Sequence, residues 1–336
     1  MIQDTKKKIY PLGFQPPKTC LLTVTNRCIL KCKMCHLWKL NTTESEISTE
    51  DCKKLICEFN KFETGPIEVH LIGGEPLIKE GVLELVKYMS QYGARVVMTS
   101  CGYTIDETMA KAIVDSGLSM LNLSLDSLDP LIHNFLRGKE DCFKRVMNAI
   151  GYLSKFKGKK LKLGINTVIS ASNLDGIIEL TEWVNKNKNL DSLYFMAVMR
   201  PFGSNLGWDW HEDRDYEFLW PKESAKVNAV LDKLAYFKKT GYKIENSTEQ
   251  FNVFKRYFEK PKEFVKIQRC NLMDNAINVN AIGDMYICFF MEKLGNIKTD
   301  NVKERWFSED ADRIRKMMAD CKNNCELVIN CYYEQE

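Results

Sequence analysis

The chain has no long apolar run. No stretch approaches the roughly 18 residues that a membrane-spanning helix needs, so no membrane span is expected. It has almost no net charge: 48 Lys and Arg stand against 45 Asp and Glu, leaving +3. That near-balance gives no footing for nucleic acid as the main partner. The basic start, TKKKIY, is followed by no apolar segment and is not a secretory signal. Internal repeats and low-complexity tracts are missing, and Gly and Pro are ordinary at 18 and 9. With 45% hydrophobic residues over 336 positions, the chain can bury a sizeable core as one large or two modest domains. A cytoplasmic location is expected.

Cysteine is what the chain has in excess, with thirteen. A secreted disulfide scaffold is the first alternative, but the length, the missing signal and the motif-like spacing argue against it. Cys28, Cys32 and Cys35 form a C-x3-C-x2-C array near the start, and Cys270, Cys288, Cys321, Cys325 and Cys331 gather towards the end. Thiolate-bound metal in a reducing compartment fits this grouping. Cys20, Cys52, Cys57, Cys101 and Cys142 fall outside both groups and read as small buried apolar residues.

Six short β-branched runs read as strands: 20–26, 67–73, 94–100, 119–125, 161–169 and 192–198. Helical patterns alternate with them. ISTEDCKKLICEFNKF opens on Ser48 with Asp51 at capping-box spacing. KEGVLELVKYMSQY repeats apolar residues at helical spacing, IDETMAKAIVDSG stops at Gly117, and NLDGIIELTEWVNKN follows the fifth strand. Repeated β-α units predict parallel strands joined by right-handed crossovers, in an open sheet or an incomplete barrel, with ligand chemistry at the strands' C-terminal ends. Residues 221–260 read as two helices. NAINVNAIGDMYICFFM reads as a β-hairpin turning at Gly283, and SEDADRIRKMMADC as a helix. The expected divisions are an extension over 1–19, a barrel over 20–225, connecting helices over 226–264 and a cysteine-bearing module over 265–336.

The cysteine triplet follows the first strand. A closed zinc site needs a fourth ligand, and His36 is adjacent to Cys35, where neighbouring residues seldom reach one metal. A [4Fe–4S] cluster with one iron left open is the other reading. GGEP, Gly73 to Pro76, follows the second strand, where two glycines permit close backbone approach and Glu75 offers a carboxylate to an amino group. TSCG follows the third strand and SLDS ends the fourth, while the fifth carries Gly164 and Asn166. Arriving at successive strand ends, these groups describe one pocket.

This combination over residues 20 to about 200 resembles the radical S-adenosylmethionine (SAM) superfamily. The resemblance implies an α/β fold, a partial (β/α)6 TIM-like barrel with a small C-terminal β-hairpin and helix iron–sulfur module. It implies that Cys28, Cys32 and Cys35 ligate a [4Fe–4S] cluster whose fourth iron takes the amino and carboxylate groups of SAM. It further implies reductive cleavage of SAM to a 5′-deoxyadenosyl radical that abstracts hydrogen from a substrate C–H bond. Gly73, Gly74, Glu75 and Pro76 match the turn that holds the methionine amino group. Ser124 and Asp126 match the ribose or carboxylate contact, and Ser100 stands where many relatives have Asn. Met34 stands where an aromatic residue usually lies next to adenine, and Asn166 is a candidate adenosine contact. An electron donor of flavodoxin or ferredoxin type and an anaerobic setting follow from the same resemblance.

The later cysteines read either as a zinc ribbon or as a second iron–sulfur site. Cys270 followed by Gly283-x4-Cys288 resembles the SPASM/Twitch extension of radical SAM enzymes. Five cysteines rather than seven imply one auxiliary [4Fe–4S] cluster, held by four of the five, so two clusters are expected in all. The segment 200–223, dense in aromatic and acidic residues, reads equally as a packed surface loop and as a lid. Its catalytic or anchoring candidates are Arg200, Asp209, His211 and Asp213, with Asp215 beside them. In sulfatase-maturing relatives an acid follows the hairpin cysteine, whereas Phe289 follows Cys288 here. Only about twenty residues precede the first strand, so no fused leader-recognition domain is expected. The leading expectation is an oxidoreductase-type modifying enzyme acting on a ribosomally made peptide. The alternatives are dehydrogenation or epimerisation of a sugar, aminocyclitol or lipid-linked saccharide, or a non-catalytic iron–sulfur electron-transfer or scaffold protein.

Overall fold

The computed structural model describes residues 15–40, 46–62, 65–265, 270 and 272–331. The basic N-terminal segment read above lies outside them. Six strands form where the β-branched runs fall: β1 (Thr19–Thr25), β2 (Glu68–Gly73), β3 (Arg95–Ser100), β4 (Met120–Ser124), β5 (Lys162–Ile169) and β6 (Ser192–Ala197). Each pairs in parallel with the next, in the order β6-β5-β4-β3-β2-β1. Leu22, Val69, Leu71, Val96, Met98, Leu121, Leu163 and Ile165 are buried along them. Both faces must be covered in such a sheet, and helices cover the outside. The result is an open, partial (β/α)6 barrel.

The covering helices begin and end on the expected signals. Helix α1 (Thr49–Asn60) carries a complete capping box between Ser48 and Asp51. It is followed by α2 (Val82–Gln91) and α3 (Glu107–Asp115), and Gly117 takes φ +82° just beyond α3. Between β4 and β5 stand two helices outside the segments read above as helical, α4 (Pro130–Arg137) and α5 (Cys142–Phe156). Asp129 caps α4 and Pro130 opens it, both strong start signals. Next come α6 (Ile177–Lys186), α7 (Ser224–Lys239) and α8 (Thr248–Glu259), the last two packed on each other as the two expected helices.

The hairpin appears as β7 (Ala276–Val279) and β8 (Asp284–Tyr286), antiparallel, with Gly283 at φ +94°. A short β9 (Gly295–Asn296) adds to β8. The hairpin does not stand apart from the barrel. β7 pairs in parallel with β1, from Thr19↔Ala276 to Leu22↔Val279, so one sheet of nine strands runs from β6 to β9. Helix α9 (Leu272–Asn275) leads into β7, and α10 (Val302–Trp306), α11 (Glu309–Ala319) and α12 (Glu326–Ile329) follow.

The opposite edge is closed by side chains. An edge strand presents unpaired N–H and C=O groups. On β6, Leu193 bonds to the backbone of Lys243 and Glu245. Phe195 donates its N–H to Asn246 Oδ1 (2.7 Å) and accepts from Asn246 Nδ2 (2.9 Å). Ala197 makes the same exchange with Asn330, at 2.8 and 2.9 Å. Two asparagine amides thus stand in for a seventh strand.

Candidate active site

The cysteine loop leaves β1 at its C-terminal end. Lys33 N–H donates to Leu136 C=O and His36 N–H to Phe202 C=O, both at 2.8 Å, and Trp38 Nε1–H donates to Cys35 C=O at 2.8 Å. Gly138, at φ +69°, ends α4 against the loop; a methyl group there would stand 2.2 Å from Lys31 C=O. All thirteen thiols are free. Burial pushes Cys28 up to about 11 and Cys35 up to about 12, and moves Cys32 the same way. The Leu30 and Leu37 N–H groups, each two residues on, act against this at Cys28 and Cys35. N–H groups directed at sulfur favour a thiolate ligand. Among the described residues, no three His, Cys, Asp or Glu side chains converge as they would around a single metal ion.

The GGEP turn is stitched to this loop. Gly74 N–H donates to Thr25 C=O (2.8 Å) and Glu75 N–H to Arg27 C=O (2.9 Å). A Cβ on Gly73 would meet Thr25 C=O at 2.2 Å, and one on Gly74 would meet Arg27 C=O at 2.0 Å. The glycines therefore admit the cysteine loop's own backbone, which modifies the expectation that they make room for a ligand. Glu75 is likewise occupied within the fold. It is 1% exposed, accepts from Ser100 Oγ (2.8 Å) and Leu77 N–H (3.2 Å) on Oε1, and from Cys101 N–H (2.8 Å) on Oε2. Ser100 also accepts from Gly102 N–H (3.0 Å). Pro76 is buried at the first turn after Glu75, and Met34 packs on the core. The Cys101 thiol also lies against this carboxylate.

At the end of β4, Asp126 is 1% exposed and lies 2.7 Å from the Arg137 guanidinium, in ion contact without hydrogen-bond alignment. Its Oδ1 accepts from Val168 N–H at 3.1 Å. Burial opposes the charge on Arg137, but Asp126 and then Cys32 outweigh it and hold the guanidinium protonated. Arg137 thus links the SLDS segment to the first cysteine loop. Spacing gave no sign of it, since a cation ending a helix reads as an ordinary dipole partner. Ser124 is buried and stands opposite Asn166 in the β4–β5 register. Asn166 Oδ1 is buried and accepts no hydrogen bond. A buried acceptor without a donor is costly, and a ligand N–H or O–H at these strand ends would supply one. The donor set, the thiol environment and this open acceptor fit an iron–sulfur group with an adenosine-bearing cofactor.

The later cysteines form a second electrostatic neighbourhood. Cys288 senses Cys270 and Cys321; Cys325 senses Cys288 and Cys270; Cys331 senses Cys325 and Cys270. Burial pushes Cys288 up to about 11 and Cys325 up to about 12, against the N–H groups of Phe290 and Val328. The backbone-to-sulfur pattern of the first loop is repeated.

A cavity of about 440 Å³ is lined by residues that follow cysteines of both groups, though by no cysteine itself. Leu37 and Leu40 of the first loop, Arg200 and Trp208 after β6, and Phe290 and Glu326 from the C-terminal residues wall it. Arg200 donates to Leu206 C=O (2.8 Å) and its guanidinium lies 4.8 Å from the Trp208 ring and 5.7 Å from that of Phe290. Glu326 is partly accessible because it faces the cavity, yet protein surrounds it, and burial pushes its carboxyl up to about 7. The aromatic segment divides. Its first part walls the cavity, while Trp210, His211 and Trp220 are buried against Tyr257 and Phe258. His211 therefore sits in packing, and Asp209, Asp213 and Asp215 are exposed outside the cavity. Glu326 follows Cys325 and not the hairpin cysteine, Cys288, so the spacing at the hairpin gives no sign of it.

Two family models match the chain: "Radical SAM superfamily" over residues 22–184, and the SPASM "Iron-sulfur cluster-binding domain" over 270–332. Among curated proteins, it is 26% identical over 322 residues to an Fe-coproporphyrin III synthase of Methanosarcina barkeri, covering 91% of this chain and 76% of that one. It is 25% identical over 337 residues to an AdoMet-dependent heme synthase of the same organism, covering 95% and 89%. Among solved structures, Streptococcus suis SuiB bound to precursor peptide SuiA superposes with TM-score 0.66 at 16% identity, over 94% of this chain and 70% of that one. AdoMet-bound anSMEcpe superposes with TM-score 0.66 at 20% identity, over 94% and 88%. With the cysteine loop at the mouth of a partial barrel and the two family matches at its two ends, the chain belongs to the radical SAM superfamily, as an enzyme with a C-terminal SPASM iron–sulfur domain whose cofactors are [4Fe–4S] clusters and SAM.

Proposed function

We propose that this enzyme modifies a ribosomally made peptide held in the cavity lined by residues that follow cysteines of both groups. The observation that carries the reading is the cavity itself, walled jointly by the first cysteine loop and the C-terminal residues. When bound, the first cluster and SAM supply a 5′-deoxyadenosyl radical that takes hydrogen from a substrate C–H bond. Cys28, Cys32 and Cys35 hold the cluster. Gly73, Gly74 and Glu75 present the turn for the methionine end of SAM, with Met34, Pro76 and Ser100 beside it. Ser124, Asp126 and Asn166 face its ribose and adenine. Four of Cys270, Cys288, Cys321, Cys325 and Cys331 would hold an auxiliary cluster, which would supply an electron-accepting group to the substrate.

Within the cavity, Arg200 anchors an anionic group of the substrate. It is a cation without a carboxylate partner among the described residues, resting beside the half-exposed Trp208 and Phe290 rings. Glu326 offers a hydrogen-bonding group on the same cavity wall. The peptide reading is supported by the fold it shares with SuiB, which was solved with its precursor peptide.

A second reading has its own support. The relatives aligned along nearly the whole chain are named as synthases of heme and of Fe-coproporphyrin III. A carboxylate-bearing macrocycle also presents anionic groups for Arg200 and a flat apolar face for Trp208 and Phe290. The test is turnover under strong reduction by the anaerobically reconstituted enzyme. Peptides encoded beside the gene should change mass and form 5′-deoxyadenosine in step with product, and Arg200→Ala should raise KM with less effect on kcat. Modification of iron coproporphyrin with no change in any such peptide would replace the first reading by the second.

A further inference from the structure

The first cysteine loop is interleaved with lysines. Lys31 and Lys33 flank Cys32 and Lys39 follows Trp38; all three are exposed. Among the described residues none of the three is in an ion pair. Their ammonium groups lie over rings: Lys31 and Lys39 are 5.6 and 5.2 Å from the Trp38 ring, Lys39 also meeting His36 Nε2 at 3.1 Å, and Lys33 is 5.3 Å from the Phe135 ring. Lys139, 4.1 Å from the Tyr103 ring, extends the set past Gly138.

Beside these cations α4 turns apolar side chains to solvent. Leu131 is 79% exposed and Phe135 49%. They are four residues apart and share one helix face. The bond from Lys33 N–H to Leu136 C=O fixes this face against the cysteine loop. Among the described residues, three acids beside α4 are engaged elsewhere. Asp129 caps α4 through Leu131 N–H (2.8 Å), Asp126 is buried with Arg137, and Asp141 takes Tyr103 and Arg145. Glu140, exposed next to Lys139 just past the end of α4 that meets the loop, is the one acid of this stretch whose side chain faces solvent without a partner among the described residues. The surface of the cysteine loop is therefore rich in cations with an apolar face beside it, on a chain whose charge is otherwise nearly balanced. Such a patch steers an oppositely charged protein and gives it something apolar to settle on.

We propose that this face docks the protein that reduces the first cluster, an acidic one-electron carrier of flavodoxin or ferredoxin type. The inference rests on reading Cys28, Cys32 and Cys35 as the cluster site. In the step itself one electron leaves the reduced carrier, which is oxidised, and enters the cluster, which is reduced; no bond is made or broken.

Two measurements test it. The first is direct binding of a bacterial flavodoxin to the reconstituted enzyme, by calorimetry at low and high salt. Binding should weaken at least about tenfold at high salt, and again in Lys31→Glu/Lys33→Glu. The second is 5′-deoxyadenosine formation driven either by reduced flavodoxin or by saturating dithionite. The double variant should lose at least about tenfold with flavodoxin and keep its dithionite rate. Leu131→Asp, on α4 and away from the cysteines, should behave alike, and it serves if the double variant takes up less iron. Flavodoxin binding that ignores salt and both variants overturns the proposal, as does an equal loss with the two reductants at full iron content. Tight capture of an acidic substrate peptide by this face, with no flavodoxin bound, would assign it to substrate instead. No 5′-deoxyadenosine from wild type with dithionite would strike the cluster reading, while the binding measurement still judges the surface.

Discussion

A Cβ on Gly74 would stand 2.0 Å from the carbonyl oxygen of Arg27. Gly74→Ala must therefore push the GGEP turn and the cysteine loop apart, because the obstacle is backbone. Overpacking of this kind costs about 1–3 kcal/mol. The variant should melt lower than wild type and take up less iron at the first site, read by iron analysis after anaerobic reconstitution. Wild-type melting and iron content would show that the close approach is not maintained in solution.

Two clusters of four irons predict about eight irons per reconstituted chain. Replacing Cys28, Cys32 and Cys35 together by Ala should leave about four. Zinc in the purified protein with no iron uptake at either site would contradict both numbers.

Glu75→Gln should destabilise the protein even without cofactor. The carboxylate accepts from Ser100, Leu77 and Cys101, and an amide NH2 would confront at least one of those donors. A buried mismatch of this kind costs on the order of 1–3 kcal/mol. Urea unfolding of the cofactor-free protein should reveal it; a change confined to SAM affinity would mean that the carboxylate serves the cofactor alone.

His133 sets a pH dependence. It is 1% exposed, accepts from Asp126 N–H on Nδ1 (3.2 Å), and faces Phe143 edge-on. Burial pushes it down to about 4 from an ordinary 6.5, with Asp126 opposing the shift and Arg137 adding to it. A depressed histidine contributes stability that is fully present above its unfolded value. That stability is lost as pH falls from about 6.5 to about 4, where the unfolded chain binds a proton that the fold refuses. Stability should therefore decline through this window, and His133→Gln should flatten the decline. An unchanged slope in the variant would place the titration elsewhere.

The barrel was legible because each strand is a short β-branched run bounded by turn residues, and because the cysteine triplet and GGEP fall at strand ends. The capping box of α1 and the turn at Gly283 were legible for the same local reason. Long-range pairings were not. The parallel pairing of Leu22 with Val279 and the exchange between Ala197 and Asn330 join residues with no shared sequence pattern. Arg137 gained its meaning only when folding brought Asp126 and Cys32 to either side of it.

The clasp on the sheet has a consequence for synthesis. Residues 276–279 cover one edge of the six-stranded barrel and Asn330 helps to cover the other, 133 residues beyond the backbone it satisfies. A ribosome finishes all six barrel strands well before it makes either cover. During that interval β1 presents a raw edge, and β6 does so until residues 243–246 emerge to cover its first half, the kind of edge that recruits foreign strands. The nascent chain is thus most prone to aggregate when its barrel looks complete, and a holding chaperone would matter most there. Iron delivery meets the same timetable: the first cysteine loop emerges early, but the C-terminal wall of the cavity beside it arrives only with the last cysteines.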